Sequence, residues 1–302
     1  MGLLQTLFVS LATSSPWLMS FITSGCVPNR ENTIMVFYGR VVDQNKAPVV
    51  GADVLVNVDR RPAIQVPLYW WEGNALQDYQ FHTRTDKDGN YTVRGLGVSM
   101  NLSASAAGYY GSPGDTYYYT DYFPPPAYVP QVGHPVVWTL WKLSGPQPLI
   151  EGGDHIQFPA DGKPHGVDLL HGRKAPEGAP ADFWITMPEP KADAWYKPYS
   201  WSYEIKAADG GVVETNEQYP FIAPGDGYVN DYKRDFKDVD PKKSSGSVRK
   251  VYYLKCHDGK IYARLDIDWM PGGNPPAVSV SYVANPAGSR NLEPGLERRP
   301  GQ

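Results

Sequence analysis

The 302-residue sequence predicts an all-β protein of two domains, and three observations predict it. Gly (30) and Pro (29) make up about a fifth of the chain, against roughly an eighth in average usage, which favours many turns and few long helices. Short apolar runs that alternate with period two recur along the chain, bounded by turn residues. The length suits two domains of roughly 100 to 200 residues each. A formal net charge of only −4 leaves no basic field to neutralise phosphates, so nucleic acid is not an expected partner. Aromatics reach 13%, with 21 Tyr, which supply apolar area for cores and flat faces for ligands.

From Met1 to Cys26 there is no charged residue, and Leu3, Leu4, Leu7, Phe8, Trp17, Leu18, Phe21 and Ile22 make the stretch mostly apolar. Ser14, Ser15 and Pro16 interrupt it, so neither half approaches the roughly 18 unbroken apolar residues of a spanning helix. A signal peptide over 1–26 is expected, although no Lys or Arg precedes Arg30. Its end, Ile22-Thr23-Ser24-Gly25-Cys26, resembles a bacterial lipobox, with Thr23 where that family prefers leucine. The resemblance implies a lipid on Cys26 and a membrane as partner, with residues 27–33 as a polar tether. Val27, in place of an aspartate, implies an outer-membrane address in a Gram-negative envelope. The other reading is a mature cysteine, free or paired with Cys256.

After the tether, 34–43 is rich in β-branched and aromatic residues, Asn45-Lys46-Ala47-Pro48 supplies a turn, and 52–58 alternates. Residues 80–85 and 90–94 flank Asp86-Lys87-Asp88-Gly89, a tight hairpin turn in which Gly89 takes a positive φ. Residues 98–106 and 136–143 are further strand candidates, and short strands at this spacing imply a β-sandwich. Gly39-Arg40-Val41-Val42-Asp43, Pro48, Gly51-Ala52-Asp53-Val54, Thr85 to Tyr91 and Ala107-Gly108-Tyr109 together resemble the carboxypeptidase regulatory-like domain. That resemblance covers about 34–145 and implies a transthyretin-like sandwich of about seven strands, with no catalytic residue among its motifs. A metallocarboxypeptidase would need His-x-x-Glu, which is missing, and an intradiol dioxygenase, whose strand and turn pattern is also similar, would need His-x-His, likewise missing. Asp86 to Gly89 lacks the ligands of a calcium loop and reads as a turn.

Two insertions hold clustered aromatics: Trp70 and Trp71 in one, and Tyr117, Tyr118, Tyr119, Tyr122 and Phe123 in the other. Loops this long are uncommon unless functional or disordered. Two readings stand: the rings fold back over the sheet, or they form a platform for a glycan or extended peptide.

Residues 144–148 read as a linker, and a second, uncharacterised β domain is expected over 148–285, with 286–302 as a polar tail. Its clearest element is a hairpin of 251–257 and 260–269 around Asp258-Gly259. One face of the second arm carries Ile261, Ala263, Leu265, Ile267 and Trp269; the other carries Arg264, Asp266 and Asp268, read as a wet stripe and not as a carboxylate pair. His155, His165 and His171, near Asp154 and Asp168, are the densest candidates for metal, though their spacing matches no standard site. Cys256 and His257, adjacent on a strand, point to opposite faces, so no Cys–His nucleophile pair is expected. Tyr199, Trp201, Tyr203 and Ile205 share one face, as core or as a glycan platform. Residues 234–247 read as a solvated mobile loop.

No complete catalytic constellation is visible. The expected function is a non-catalytic envelope lipoprotein, structural or ligand-binding, with no cofactor. The alternative is a metal-dependent hydrolase or oxygenase on a β-sandwich scaffold.

Overall fold

The computed structural model describes residues 27–28, 32–61, 64–65, 77–120, 126–145, 147–190, 198–240, 242–243 and 246–294. They contain no α-helix, as the turn-rich composition predicts. They fall into two compact units, the first ending at Leu143 and the second beginning at Ser144.

The first unit contains β1 (Val27–Pro28), β2 (Thr33–Asp43), β3 (Asp53–Arg60), β4 (Ile64–Gln65), β5 (Gln77–Arg84), β6 (Asn90–Gly97), β7 (Ser99–Ser105), β8 (Tyr109–Tyr110), β9 (Asp115–Tyr118) and β10 (Val136–Lys142). Apart from the short β1–β4 pair, these form two four-stranded sheets ordered β6-β2-β10-β8 and β5-β3-β7-β9. Period-two alternation sends Met35, Phe37 and Val41 of β2 and Val54, Val56 and Val58 of β3 into one core with Tyr91, Leu102 and Trp138. Burying each such side chain contributes roughly 1.5–3 kcal/mol. The unit is therefore a β-sandwich.

Asp86 to Gly89 is a turn, but not a hairpin: β5 pairs with β3 and β6 with β2, so the turn carries the chain from one sheet to the other. Asp86 Oδ1 accepts hydrogen bonds from the backbone N–H groups of Asp88 (2.9 Å) and Asn90 (2.8 Å). Gly89 stands at φ 78°, and its carbonyl accepts from Val41 N–H at 2.8 Å. A Cβ there would lie 2.4 Å from Val41 O, so glycine is required twice over.

The second unit contains β11 (Ile150–Pro159), β12 (His165–Asp168), β13 (Arg173–Lys174), β14 (Phe183–Thr186), β15 (Tyr199–Ala207), β16 (Gly211–Thr215), β17 (Asp231–Val239), β18 (Val248–Cys256), β19 (Ile261–Met270) and β20 (Ala277–Asn285). Two antiparallel five-stranded sheets, β11-β20-β19-β18-β16 and β13-β12-β14-β15-β17, share one core. Tyr199, Trp201, Tyr203 and Ile205 are all buried, so this stripe is core and not a glycan platform. Tyr203 stacks on Trp269 of the opposing sheet at 3.9 Å and shares a 2.7 Å hydrogen bond with Tyr252, which satisfies both hydroxyls inside the apolar layer.

Three expectations change here. Residues 234–239 belong to β17, an edge strand whose Phe236 stacks on Trp201 at 4.3 Å while Lys233 and Lys237 are exposed, and Arg234, paired with Tyr203 in the ladder, reaches Glu214 of the other sheet at 3.5 Å. Such charges discourage pairing with another chain. Residues 286–294 are not a tail: Leu292 is fully buried, packed with Ala223, Tyr253 and Tyr262 on the outer face of the β18–β19 hairpin. Glu293, also buried, accepts from Ser144 N–H at 2.9 Å, Ser144 Oγ–H at 3.0 Å and Gly145 N–H at 3.2 Å. Finally, the register Cys256↔Ile261 makes the hairpin loop four residues, His257 to Lys260, and not two.

Candidate functional site

The expected aromatic platform divides. Trp70, Trp71 and Tyr122 lie outside the described residues, as does Cys26. Tyr117 and Tyr119, two positions apart, turn toward the first core. Tyr117 meets Phe37 edge-on at 4.6 Å and Tyr128 at 5.0 Å, and Tyr119 donates its hydroxyl to Val36 O at 2.8 Å. Burial pushes the Tyr117 hydroxyl up to about 12 and Tyr119 higher still. These two rings cover the core, while alternation puts half-buried Tyr118 on the other face.

The histidines divide too. His165 Nε2 lies 2.9 Å from Asp161 Oδ1, and His171 Nδ1 lies 2.8 Å from Asp168 Oδ2. Each is held by an aspartate of its own turn, three or four residues back, so the two do not converge. Among the described residues neither belongs to a group of three ligand atoms close enough for one ion. His155 contributes backbone to β11, and its side chain lies outside the described set.

His165 does line a hollow of about 280 Å³, with Phe158, Asp161, Lys163, Lys174 and Trp184. Phe183 and Ile185 of β14 point into the core, so Trp184 between them faces away from it and is half-buried. Gly166 pairs with Trp184 across the ladder, and a Cβ there would lie 3.3 Å from the indole nitrogen and 2.7 Å from Ala181 Cβ. The glycine thus makes room for the ring. The His165 ring stacks on Phe158 at 5.0 Å, and the Lys174 ammonium lies 5.2 Å from the Phe158 ring centre. An aromatic wall with charges of both signs beside it is a setting for hydroxyl-rich or zwitterionic ligands.

A second cluster overturns the opposite-face placement expected of Cys256 and His257. Their ligand atoms and one oxygen of Asp182 all lie within 4.8 Å of one another. The reason is backbone: β18 ends at Cys256, and His257 and Asp258 take positive φ values of 53° and 55°. The ring therefore leaves the strand alternation and returns to the face of Cys256. Two non-glycine residues in this region cost roughly 1–2 kcal/mol each. The Asp209 carboxylate offsets the cost by accepting from the backbone N–H groups of His257 (2.6 Å) and Asp258 (3.2 Å).

Asp182, just before β14, is buried, and its Oδ1 lies 2.5 Å from His257 Nε2. Its Oδ2 accepts from Leu169 N–H at 2.7 Å, while Leu169 O accepts from Tyr282 Oη–H at 2.7 Å, so β20 helps to fix the carboxylate. No Lys or Arg is bonded to Asp182 among the described residues. Cys256 is a free, buried thiol, and burial, with the nearby charges of Asp182 and Asp209, pushes its pKa well up. A nucleophilic cysteine needs the opposite shift, so the trio resembles a catalytic triad in membership but not in electrostatics. Its residue types are those of a zinc-class site. In the sequence Cys256 and His257 were visible as neighbours, but Asp182, 75 residues from His257, carried no signal.

No family model and no curated protein matches the chain. Among solved structures, it is similar to 3-chlorocatechol 1,2-dioxygenase from Rhodococcus opacus 1CP, at 15% identity and a TM-score of 0.25, over 36% of this chain and 60% of that one. It is also similar to a streptococcal ancillary pilin, at 15% identity and a TM-score of 0.21, over 75% of this chain and 53% of that one. The chain thus spans about three-fifths of the dioxygenase's length and about half of the pilin's. At these scores neither name carries over.

Proposed function

We propose that the protein is a non-catalytic binding module of the cell envelope, exported and lipid-anchored through Cys26, which holds a glycan in the hollow around Trp184. The observation that carries the reading is the half-buried indole that lines a 280 Å³ hollow together with Lys163, Lys174, His165 and Asp161. That volume is at the small end for ligand sites and suits one sugar unit. An indole face stacks on the C–H surface of a sugar ring while the charged groups hydrogen-bond its hydroxyls. The loop tyrosines are the weaker candidates, because Tyr117 and Tyr119 are engaged with the core.

A glycan and peptide screen with wild type and a Trp184→Ala variant of equal melting temperature tests the ligand. Retention of a subset of glycans by wild type, with at least a roughly ten-fold loss in the variant, is expected. Equal binding by the two proteins, or retention of peptides alone, overturns it. The anchor is tested by labelling with a palmitate analogue, which should mark wild type and spare Cys26→Ala.

A further inference from the structure

We propose that Asp182, Cys256 and His257 form a binding site for a divalent transition-metal ion of the zinc class. The inference does not rest on the glycan reading and involves different residues. Three observations carry it together. A thiol, an imidazole and a carboxylate, each a zinc ligand type, lie within 4.8 Å of one another although Asp182 is 75 residues from His257. The loop that aims His257 holds two consecutive non-glycine residues at positive φ, fixed by Asp209. Among the described residues the buried Asp182 carboxylate has no Lys or Arg beside it, and its one ion-pair partner is the His257 ring, which can turn the same nitrogen to a metal ion.

Ligand atoms on one tetrahedral zinc lie roughly 3.3–3.6 Å apart, given bonds of about 2.0–2.3 Å. The 2.5 Å His257–Asp182 contact must therefore open as the ion enters, and His257, whose side chain is half exposed, is free to swing. On binding, the Cys256 thiol gives its proton to solvent and coordinates as thiolate, Asp182 coordinates as carboxylate and His257 as neutral imidazole. Net charge at the centre then rises from −2 for the ligands alone to zero. Water from the side of His257 would supply the fourth position. Asp182 leads into β14 of one sheet, while Cys256 ends β18 of the other, so the ion would clamp the two sheets of the second sandwich at one end.

The test uses the full chain with Cys26→Ala, purified without a histidine tag and stripped with a chelator, so that any thiolate signal reports Cys256. Cobalt titration should give a thiolate charge-transfer band that saturates at one equivalent and is displaced by zinc. Cys256→Ser should abolish the band. Because Cys256 is buried, so that its variant risks unfolding, His257→Gln provides the second arm at a half-exposed position. It should melt like the stripped parent yet bind zinc more weakly by over about 100-fold, more than the 10- to 100-fold lost when an outer partner is removed. Asp209→Asn should fall within that outer range. A parent that shows no thiolate band, or a folded His257→Gln that takes up zinc like the parent, overturns the site.

Discussion

In the first domain the polar ties that steer the chain run from local ones, as when Asp86 holds the N–H groups two and four residues on, to spans of 83 residues from Tyr119 to Val36 and 98 from Gln44 to Lys142. In the second they are drawn from far apart: Glu293 ties residues 149 positions away, Tyr282 holds Leu169 from a distance of 113, and Asp182 meets His257. Both domains are two-sheet sandwiches with a single core between the sheets. The difference teaches where polar side chains are used. In the first they shape turns and pin distant segments, as Thr85 does with Val49 and Ala52. In the second several are gathered at sheet ends by the fold itself, and both candidate sites are found there.

The sharpest way to probe the two cores is to hollow each one. Trp269→Ala in the second domain and Phe37→Ala in the first each remove a fully buried ring, and each should cost about 3–5 kcal/mol. Calorimetry on the full chain should show the lower transition for the domain that carries the substitution. If Trp269→Ala left every transition unmoved, the idea of one core joining both five-stranded sheets would fail.

A smaller effect separates two kinds of turn. Gly89→Ala places a Cβ 2.4 Å from Val41 O at a φ of 78°, whereas Gly227→Ala, at φ 83°, meets nothing within 4 Å. The first should lose roughly 2 kcal/mol or more and the second about 1 kcal/mol, the conformational cost alone. Denaturant midpoints of equal size would mean that the sheet-to-sheet corner relaxes.

Smaller again is the charge cluster on the second domain. Burial opposes the charge of Glu214, but hydrogen bonds from Lys250 (2.7 Å) and Tyr232, with the charges of Lys250 and Arg234, outweigh it and hold the carboxyl below its ordinary range. A depressed pKa contributes stability that is present above the unfolded value, about 4.3, and is lost as pH falls through the folded value. Glu214→Gln should therefore cost about 1–2 kcal/mol at neutral pH, and wild type and variant should begin to converge below the unfolded value and meet once pH has fallen through the lower, folded one. A gap that persists in acid would assign the effect to packing. The least effect is expected at Arg249, whose side chain is mostly exposed and bridges Asp266 at 2.7 Å. Arg249→Ala should change stability by less than about 1 kcal/mol, and high salt should erase the difference.

What the residues disclose on their own follows from the same contrast. The alternation in 52–58 and 261–269 is set by pleat geometry, so strands and their buried faces were legible. Turn chemistry at Asp86 to Gly89 was legible as a turn, but not as a corner between sheets, because strand partners are decided by contacts tens of residues away. The edge strand over 234–239 was hidden by its charges, which an edge position leaves exposed even where, as at Arg234, they share the face of Phe236. Cys256 and His257 misled for a local reason: strand alternation holds only while the backbone stays extended, and it stops at His257. Trp184 was passed over since nothing near it in sequence says that a hollow opens beside it.

The bonds from Glu293 to Ser144 and Gly145 bring the beginning and the end of the second domain to one place. Its order of strands is then a ring, and the peptide bond at which the ring opens is a matter of choice. A circular permutant that joins 294 to 144 through a short linker and starts in the exposed loop at Gly225–Gly227 should keep every sheet pairing. For this domain, neighbourhood in space and not precedence in the chain specifies the architecture.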